Sequence, residues 1–255
     1  MFTFYGKYVI LICSEFLQRS PVMRVDKFLS EMGKATRTES SKLVRAGKIT
    51  VNGAVIKRAD VHIDPDKDEI RLFGEILSYK KFTYIMLNKP EGYVSATEDG
   101  REKTVLDLLN DEERRKNLFP CGRLDKSTLG LIILTNDGDS AHRLLSPKHH
   151  VPKTYAFKSK YPLSSDDVER LEAGVDIGGY VTKPCKVSLD SDGTGGKITI
   201  TEGKYHQIKL MLDAVKNKIT YLERLTFGNI TLDKNLKRGE WRHLTSEEES
   251  LLLNK

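Results

Sequence analysis

Apolar residues follow two rhythms along the chain, one helical and one alternating, and the changes between them mark its elements. Val25, Phe28 and Leu29 fall at helical spacing. Thr36 and Glu39 stand in the register where a threonine oxygen takes a first-turn amide and a glutamate reaches back to the cap, so a helix is predicted over 37–46. Leu43 and Val44 would face inward, and Gly47 is a plausible left-handed stop. Apolar runs at 49–51 and 54–56 flank Asn52-Gly53, the strongest short hairpin signal. A third strand is predicted at 69–73, followed by a charge-mixed connector at 74–81.

Beyond the connector, the run 84–87 predicts a core strand, stopped by the turn chemistry of Lys89-Pro90-Glu91-Gly92. Val105, Leu106 and Leu109 mark a short helix, with the charged 111–115 segment as its wet side. One strand is expected to end near Cys121 and another to begin near Leu129, because short apolar runs bounded by turn residues suit buried strands. Ala141, Leu144 and Leu145 suggest a two-turn helix, 153–157 an alternating strand, and 164–173 a helix stopped by Gly174. Strands at 181–189 and 197–201 are joined by a glycine-rich tip that lacks the GxxxxGK[ST] spacing of a phosphate cradle. Ile208, Leu212 and Val215 sit at core spacing on a further helix. The tail, 224–230 with Leu232 and a helix capped by Thr245 and Glu248, reads as core closure.

At 255 residues the chain has length for one large domain or a large plus a small one. Its net charge of +6 makes a polyanion partner plausible without identifying one. Between Lys34 and Arg58 seven cations (Lys34, Arg37, Lys42, Arg45, Lys48, Lys57, Arg58) face one acid, Glu39. That local excess equals the charge of the whole chain, and a helix and hairpin carrying it could track a phosphate backbone; a solvated helix face is the bland alternative. Three widely spaced cysteines and the lack of a CxxC pair or HExxH indicate neither a disulfide framework nor a metal site, and fit a reducing, cytoplasmic compartment. The apolar run 8–13 is shorter than the about 20 residues of a membrane helix. Residues 1–22 are read as an extension ahead of an internal start at Met23, and a chain beginning there is expected to keep its activity.

Candidate chemistry centres on Cys121-Gly122-Arg123-Leu124-Asp125-Lys126-Ser127-Thr128-Leu129-Gly130-Leu131. An acid between nearby cations could be a nucleophile or half of an ion pair, and an aspartate in a turn is most often a backbone cap. Tyr155 by pattern alone is a core strand aromatic, and Lys209 by itself a surface lysine.

The Gly-Arg-Leu-Asp-Lys-x-Thr-x-Gly-Leu stretch resembles the catalytic motif of the pseudouridine synthases, in the branch that modifies ribosomal RNA. Lys89-Pro90-x-Gly92 is similar to the first motif of that family, a structural support of the catalytic loop. Lys153-x-Tyr155 and Tyr205-His206-Gln207-Ile208-Lys209 are similar to its later motifs. The segment from Met23 through Asn52-Gly53 resembles an S4 RNA-binding domain. Together these resemblances cover nearly all of the chain after Met23. They imply an α+β fold, with a small S4-like domain at 23–77 and a synthase domain at 82–255 built on a mixed, mainly antiparallel sheet. They imply Asp125 as the catalytic acid, with Arg123, Tyr155, Lys209 and Ile208 meeting the substrate. Arg123 would fill the place of a flipped base, Tyr155 would pack on that base, and Lys209 would hold the carboxylate in place as an anion. No cofactor or metal is implied, and a monomer off the membrane is expected. Small-subunit members carry the Tyr-His-Gln-x-Lys wording, which points to 16S rRNA or a small-subunit assembly intermediate; Leu210 stands where an arginine is common. An enzyme of 23S rRNA and a non-catalytic S4 assembly factor are the rival readings.

Overall fold

The computed structural model describes residues 22–253, so the 8–13 run and nearly all of the expected extension lie outside the described residues. It divides into two compact units, one holding 22–29 and 36–79 and the other 30–35 and 80–253.

In the first unit, β1 (Met23–Arg24), α1 (Val25–Glu31), α2 (Arg37–Arg45), β2 (Ile49–Val51), β3 (Ala54–Val55), β4 (His62–Ile63), β5 (Ile70–Leu72) and β6 (Glu75–Ile76) follow in order. The cap of α2 forms as its sequence dictates: the Glu39 amide donates to Thr36 Oγ1 at 3.2 Å, and the Thr36 amide donates to Glu39 Oε2 at 2.7 Å. Asn52 and Gly53, both at positive φ (51° and 79°), turn β2 into β3. The 74–81 connector differs from expectation. Phe73 and Gly74 also take positive φ (53° and 87°) and fold β6 back on β5 as a second tight hairpin, the bulky Phe73 having hidden the turn.

The second unit is built on a nine-stranded sheet. Its elements are β7 (Tyr84–Lys89), α3 (Asp111–Arg114), β8 (Phe119–Pro120), β9 (Leu129–Thr135), α4 (Gly138–Leu145), β10 (Lys153–Ser159), α5 (Ser165–Ala173), β11 (Lys186–Leu189), β12 (Gly195–Ile200), α6 (Gln207–Ala214), β13 (Ile219–Phe227), β14 (Ile230–Thr231), β15 (Trp241–His243) and α7 (Ser246–Leu253). The main order is β11-β12-β10-β13-β9-β7-β15, with β8 on β9 and β14 on β13. Only β13 and β9 run parallel among the described strands, so the sheet is mixed and mainly antiparallel.

The continuous apolar runs of β7 and β9 follow from burial on both faces. Ile85, Leu87, Ile132 and Leu134 join Leu171 of α5 and Ile208, Met211 and Leu212 of α6 in one core. Tyr84, Met86, Leu131 and Ile133 join Ala141 and Leu144 of α4 and Leu252 of α7 in the other. The period-two alternation of side chains along a strand divides them.

Two further expectations are corrected. The strand read at 181–189 is confined to 186–189, because Gly178, Gly179 and Pro184 leave 176–185 as a loop with Val181 exposed. The 111–115 segment is not simply a wet face. It is a separate helical turn capped by Asn110, and Glu113 is buried between Lys116 (2.7 Å) and His243 (3.2 Å).

Candidate active site

The loop between β8 and β9 is held from behind by a buried lysine. Lys89, at the end of β7 and fully enclosed, places Nζ 3.1 Å from the carbonyls of Pro90, Asp125 and Lys126 and 2.8 Å from that of Thr128. Burial pulls this ammonium down to about 8, against the nearby Asp125 carboxylate. The Lys89-Pro90-Glu91-Gly92 turn adds a bond from the Gly92 amide to the Lys126 carbonyl at 2.9 Å. Ser95 braces Leu124, accepting from its amide at 3.0 Å and donating to its carbonyl at 2.9 Å. With its backbone fixed by these contacts, the loop holds Asp125 half-exposed between the exposed Arg123 and Lys126.

Its carboxylate meets two residues more than eighty positions away. Lys209 Nζ lies 2.6 Å from Oδ2, and His206 Nε2 lies 3.5 Å from Oδ1. Lys209 also donates to Ser127 Oγ at 3.1 Å. Among the described residues no backbone amide donates to the Asp125 side chain, so it is not a turn cap. Nor do its sequence neighbours pair with it: Lys126 is drawn to Glu102 at 2.6 Å, and exposed Arg123 makes no ion pair among the described residues.

The start of α6 aims both partners. His206 precedes the helix in the left-handed region, at φ 50°. A branched or aromatic residue is held there only by its surroundings. Buried Glu202 supplies them, accepting from Gln207 Nε2 at 2.7 Å, the Tyr180 hydroxyl at 2.7 Å and the Lys183 amide at 3.0 Å. The Lys204 amide closes the turn on Gln207 Oε1 at 2.9 Å. Tyr205 stacks on the His206 ring with centroids 3.8 Å apart, yet stays 71% exposed.

These groups line a cavity of about 440 Å³ whose walls include Arg123, Asp125, Tyr155, Tyr180, His206 and Arg224. Tyr155, in β10, is buried and its register partner across the sheet is Arg224 of β13. A smaller recess of about 80 Å³ beside it is lined by Asp125, Thr128, Tyr155, Ile208 and Lys209 among others. Ile208 is itself buried in the core cluster, so it reaches the recess only as part of its floor. Arg123, Asp125, Tyr155, Ile208 and Lys209 are therefore gathered at one place. His206, Ser127 and Arg224 complete the surroundings; sequence reasoning quoted the first two within motif stretches without giving them a role, and read the third as core closure. The thiol of Cys121, close by, is pushed up to about 11 by burial and is no competing nucleophile.

In the first unit, Arg37, Lys42, Arg45, Lys48, Lys57 and Arg58 are exposed. Arg58 is engaged by Asp60 at 2.6 Å. Lys34, which groups with the second unit, is engaged by Glu112 at 2.7 Å.

Residues 83–214 match the family described as RNA pseudouridylate synthase, and residues 23–70 match the S4 domain. An uncharacterized RNA pseudouridine synthase of Bacillus subtilis (strain 168) is 50% identical over 234 residues, 90% of this chain and 98% of the relative. The ribosomal small subunit pseudouridine synthase A of Yersinia pestis is 41% identical over 89% of this chain and 96% of its own length. That of Escherichia coli (strain K12) is 38% identical over 89% and 98%. A solved structure described as a pseudouridylate synthase superposes with a TM-score of 0.63 at 36% identity, covering 90% of this chain and 99% of the other. The chain belongs to the RNA pseudouridylate synthase family, with an S4 domain ahead of the synthase domain.

Proposed function

We propose that this protein converts a uridine of 16S ribosomal RNA to pseudouridine, with Asp125 as the catalytic carboxylate. The observation that carries the reading is the Asp125 side chain itself: uncapped by amides, held by Lys209 at 2.6 Å, and set in the wall of a cavity that Tyr155 and Arg123 share.

In this reading the target base leaves its stack and enters the cavity, at a cost of a few kcal/mol that is least in a loosely paired site. Arg123, exposed at the rim, fills the vacated place. Tyr155 covers the uracil, and Ile208 closes the floor beside it. Asp125 acts on the nucleoside, the N1–C1′ bond breaks, the ring turns, and a C5–C1′ bond forms while C5 gives up its proton and N1 gains one. Lys209 and His206 keep the carboxylate aimed. No metal or cofactor enters this sequence. Residues 23–77 act as the RNA-binding domain, through Lys34, Arg37, Lys42, Arg45, Lys48, Lys57 and Arg58, and residues 82–255 as the catalytic domain. The small-subunit substrate is supported by the names of the 38–41% identical relatives, and by the Tyr205–Lys209 wording. A cytoplasmic monomer acting on free 16S rRNA or an assembly particle fits this role. Among the described residues no helix is long and apolar enough to cross a membrane.

Tritium release from RNA labelled at uracil C5 tests the reaction. Wild type should release label, and Asp125→Asn should lower the rate by at least about 10³-fold while RNA binding persists. Wild type that binds RNA and releases nothing would make the protein a binding factor. Mapping pseudouridines in small-subunit rRNA with and without the protein tests the substrate.

A further inference from the structure

Among the described residues Arg224 is the largest fully buried side chain, 2% exposed, in the middle of β13. One row across three adjacent strands runs Gly130, Arg224, Tyr155. Arg224 Nε donates to the Leu131 carbonyl at 2.7 Å, and its Cζ lies 5.4 Å from the Phe227 ring centroid. Its Nη2 is buried without any hydrogen-bond partner, and among the described residues no carboxylate pairs with it. A guanidinium cannot escape such a setting by losing its proton. A buried charge without a counter-charge is among the costliest features a fold can keep. A merely structural arginine would spend its terminal nitrogens, as well as Nε, on carbonyls or an acid. This one lines the cavity that holds Asp125.

We infer that Arg224 is a further catalytic residue, donating a guanidinium N–H to a carbonyl oxygen of the flipped uracil and stabilising the negative charge the ring takes on during the reaction. The inference rests on the reading of the cavity given above. When the N1–C1′ bond breaks, its electron pair stays with the uracil, which becomes an anion delocalised over N1, O2 and O4. C1′ is then satisfied either by a bond to Asp125 or by loss of the C2′ proton to it. If Asp125 instead adds to C6 of the ring, the displaced pair rests on the conjugated C4 carbonyl oxygen. Every route places charge on a ring oxygen; C5 then bonds to C1′ as Asp125 is displaced from C1′, returns the C2′ proton, or leaves C6, according to the route, and C5 loses its proton while N1 gains one. A fixed cation in a water-poor pocket acts on such charge without reorganising. A backbone phosphate is the other anion the substrate brings, but exposed Lys204 already stands at the cavity wall for it. Arg224 is instead the cross-strand neighbour of Tyr155, the residue that covers the uracil in this reading.

The test uses Arg224→Gln and Arg224→Lys in the full chain, with single-turnover tritium release at saturating RNA and RNA affinity measured separately. Arg224→Gln should slow the single turnover about 100-fold, with RNA affinity within about threefold of wild type, and Arg224→Lys should recover at least about tenfold of that loss. An unchanged rate in Arg224→Gln, or a deficit that higher RNA concentration abolishes, would overturn the proposal, the latter assigning Arg224 to a phosphate. Since either variant could fail to fold, a structure of wild type with an RNA holding its uridine in the cavity decides independently. A terminal guanidinium nitrogen within about 3.2 Å of O2 or O4 supports the proposal, and a guanidinium that meets only a phosphate or protein atoms refutes it. All of these are read against a wild type that turns over, so failure of the isomerase reading itself is recognised first by wild-type silence.

Discussion

Lys209 reaches Asp125 from the first turn of α6, and Ser127 Oγ accepts from the same ammonium, so a single side chain fixes both the acid and the loop that bears it. Replacing it with methionine keeps the stem but frees the carboxylate to rotate. Misplacing a reacting group by about 1 Å costs on the order of 10²-fold. Lys209→Met is therefore expected to lower kcat about 100-fold with little change in RNA affinity, measured by tritium release and filter binding. Lys89 acts one layer behind, and its effect is visible in pH. The folded chain holds this ammonium near 8, whereas the unfolded chain keeps the ordinary 10.5. Below pH 8 both states carry the proton. Between 8 and 10.5 the unfolded chain binds the proton that the folded one has lost, so this group's contribution makes stability rise with pH across that window. The carbon resonance next to Lys89 Nζ should titrate with a midpoint near 8. The urea midpoint should climb more from pH 8 to 10 in wild type than in Lys89→Met.

The strands around the site tolerate little change where their backbones converge. Gly130 has φ 95°, and a Cβ there would lie 2.3 Å from the Arg224 carbonyl oxygen. Gly130→Ala thus combines an unfavourable backbone with a direct clash between β9 and β13. It should destabilise the fold by at least about 3 kcal/mol, seen as a lower denaturation midpoint. That glycine was readable as part of a motif, but its reason, the parallel seam of β9 and β13, was not. Local chemistry did announce the α2 cap, the Asn52-Gly53 hairpin, the runs of β7 and β9 and the α7 cap. The Phe73-Gly74 hairpin stayed hidden because a bulky residue seldom takes positive φ. The first half of β13 stayed hidden because Thr220, Tyr221 and Glu223 break its apolar pattern. In the site, Asp125, Tyr155 and Lys209 came from resemblance, whereas spacing alone left each of them ambiguous. Local sequence offered only Arg123 and Lys126 as partners of Asp125; resemblance named Lys209, and His206 is added by a tertiary contact that no local pattern encodes. Arg224 was passed over as core closure because a buried arginine in a strand carries no local mark at all.

Charge at the scale of the whole molecule divides the labour between capture and chemistry. The cavity lies wholly in the second unit, whereas six exposed cations gather on the first, where Arg37, Lys42 and Lys48 have no ion-pair partner among the described residues. Cations of this kind gain affinity by releasing counterions from RNA, a contribution that salt screens and that does not depend on sequence. Replacing Arg37, Lys42 and Lys48 together with alanine removes up to three phosphate-neutralising charges without touching a core side chain. The logarithm of the RNA association constant should then fall less steeply with the logarithm of salt, by roughly 0.7 to 0.9 for each phosphate no longer neutralised. Since the chemistry is confined to the other unit, kcat at saturating RNA should stay within about twofold of wild type while KM rises, the signature of weakened uniform binding. Titrations at several salt concentrations, paired with tritium release, separate the two effects. A fall in kcat that saturating RNA does not restore would mean instead that the first unit helps to aim the uridine at Asp125, making recognition and catalysis one act.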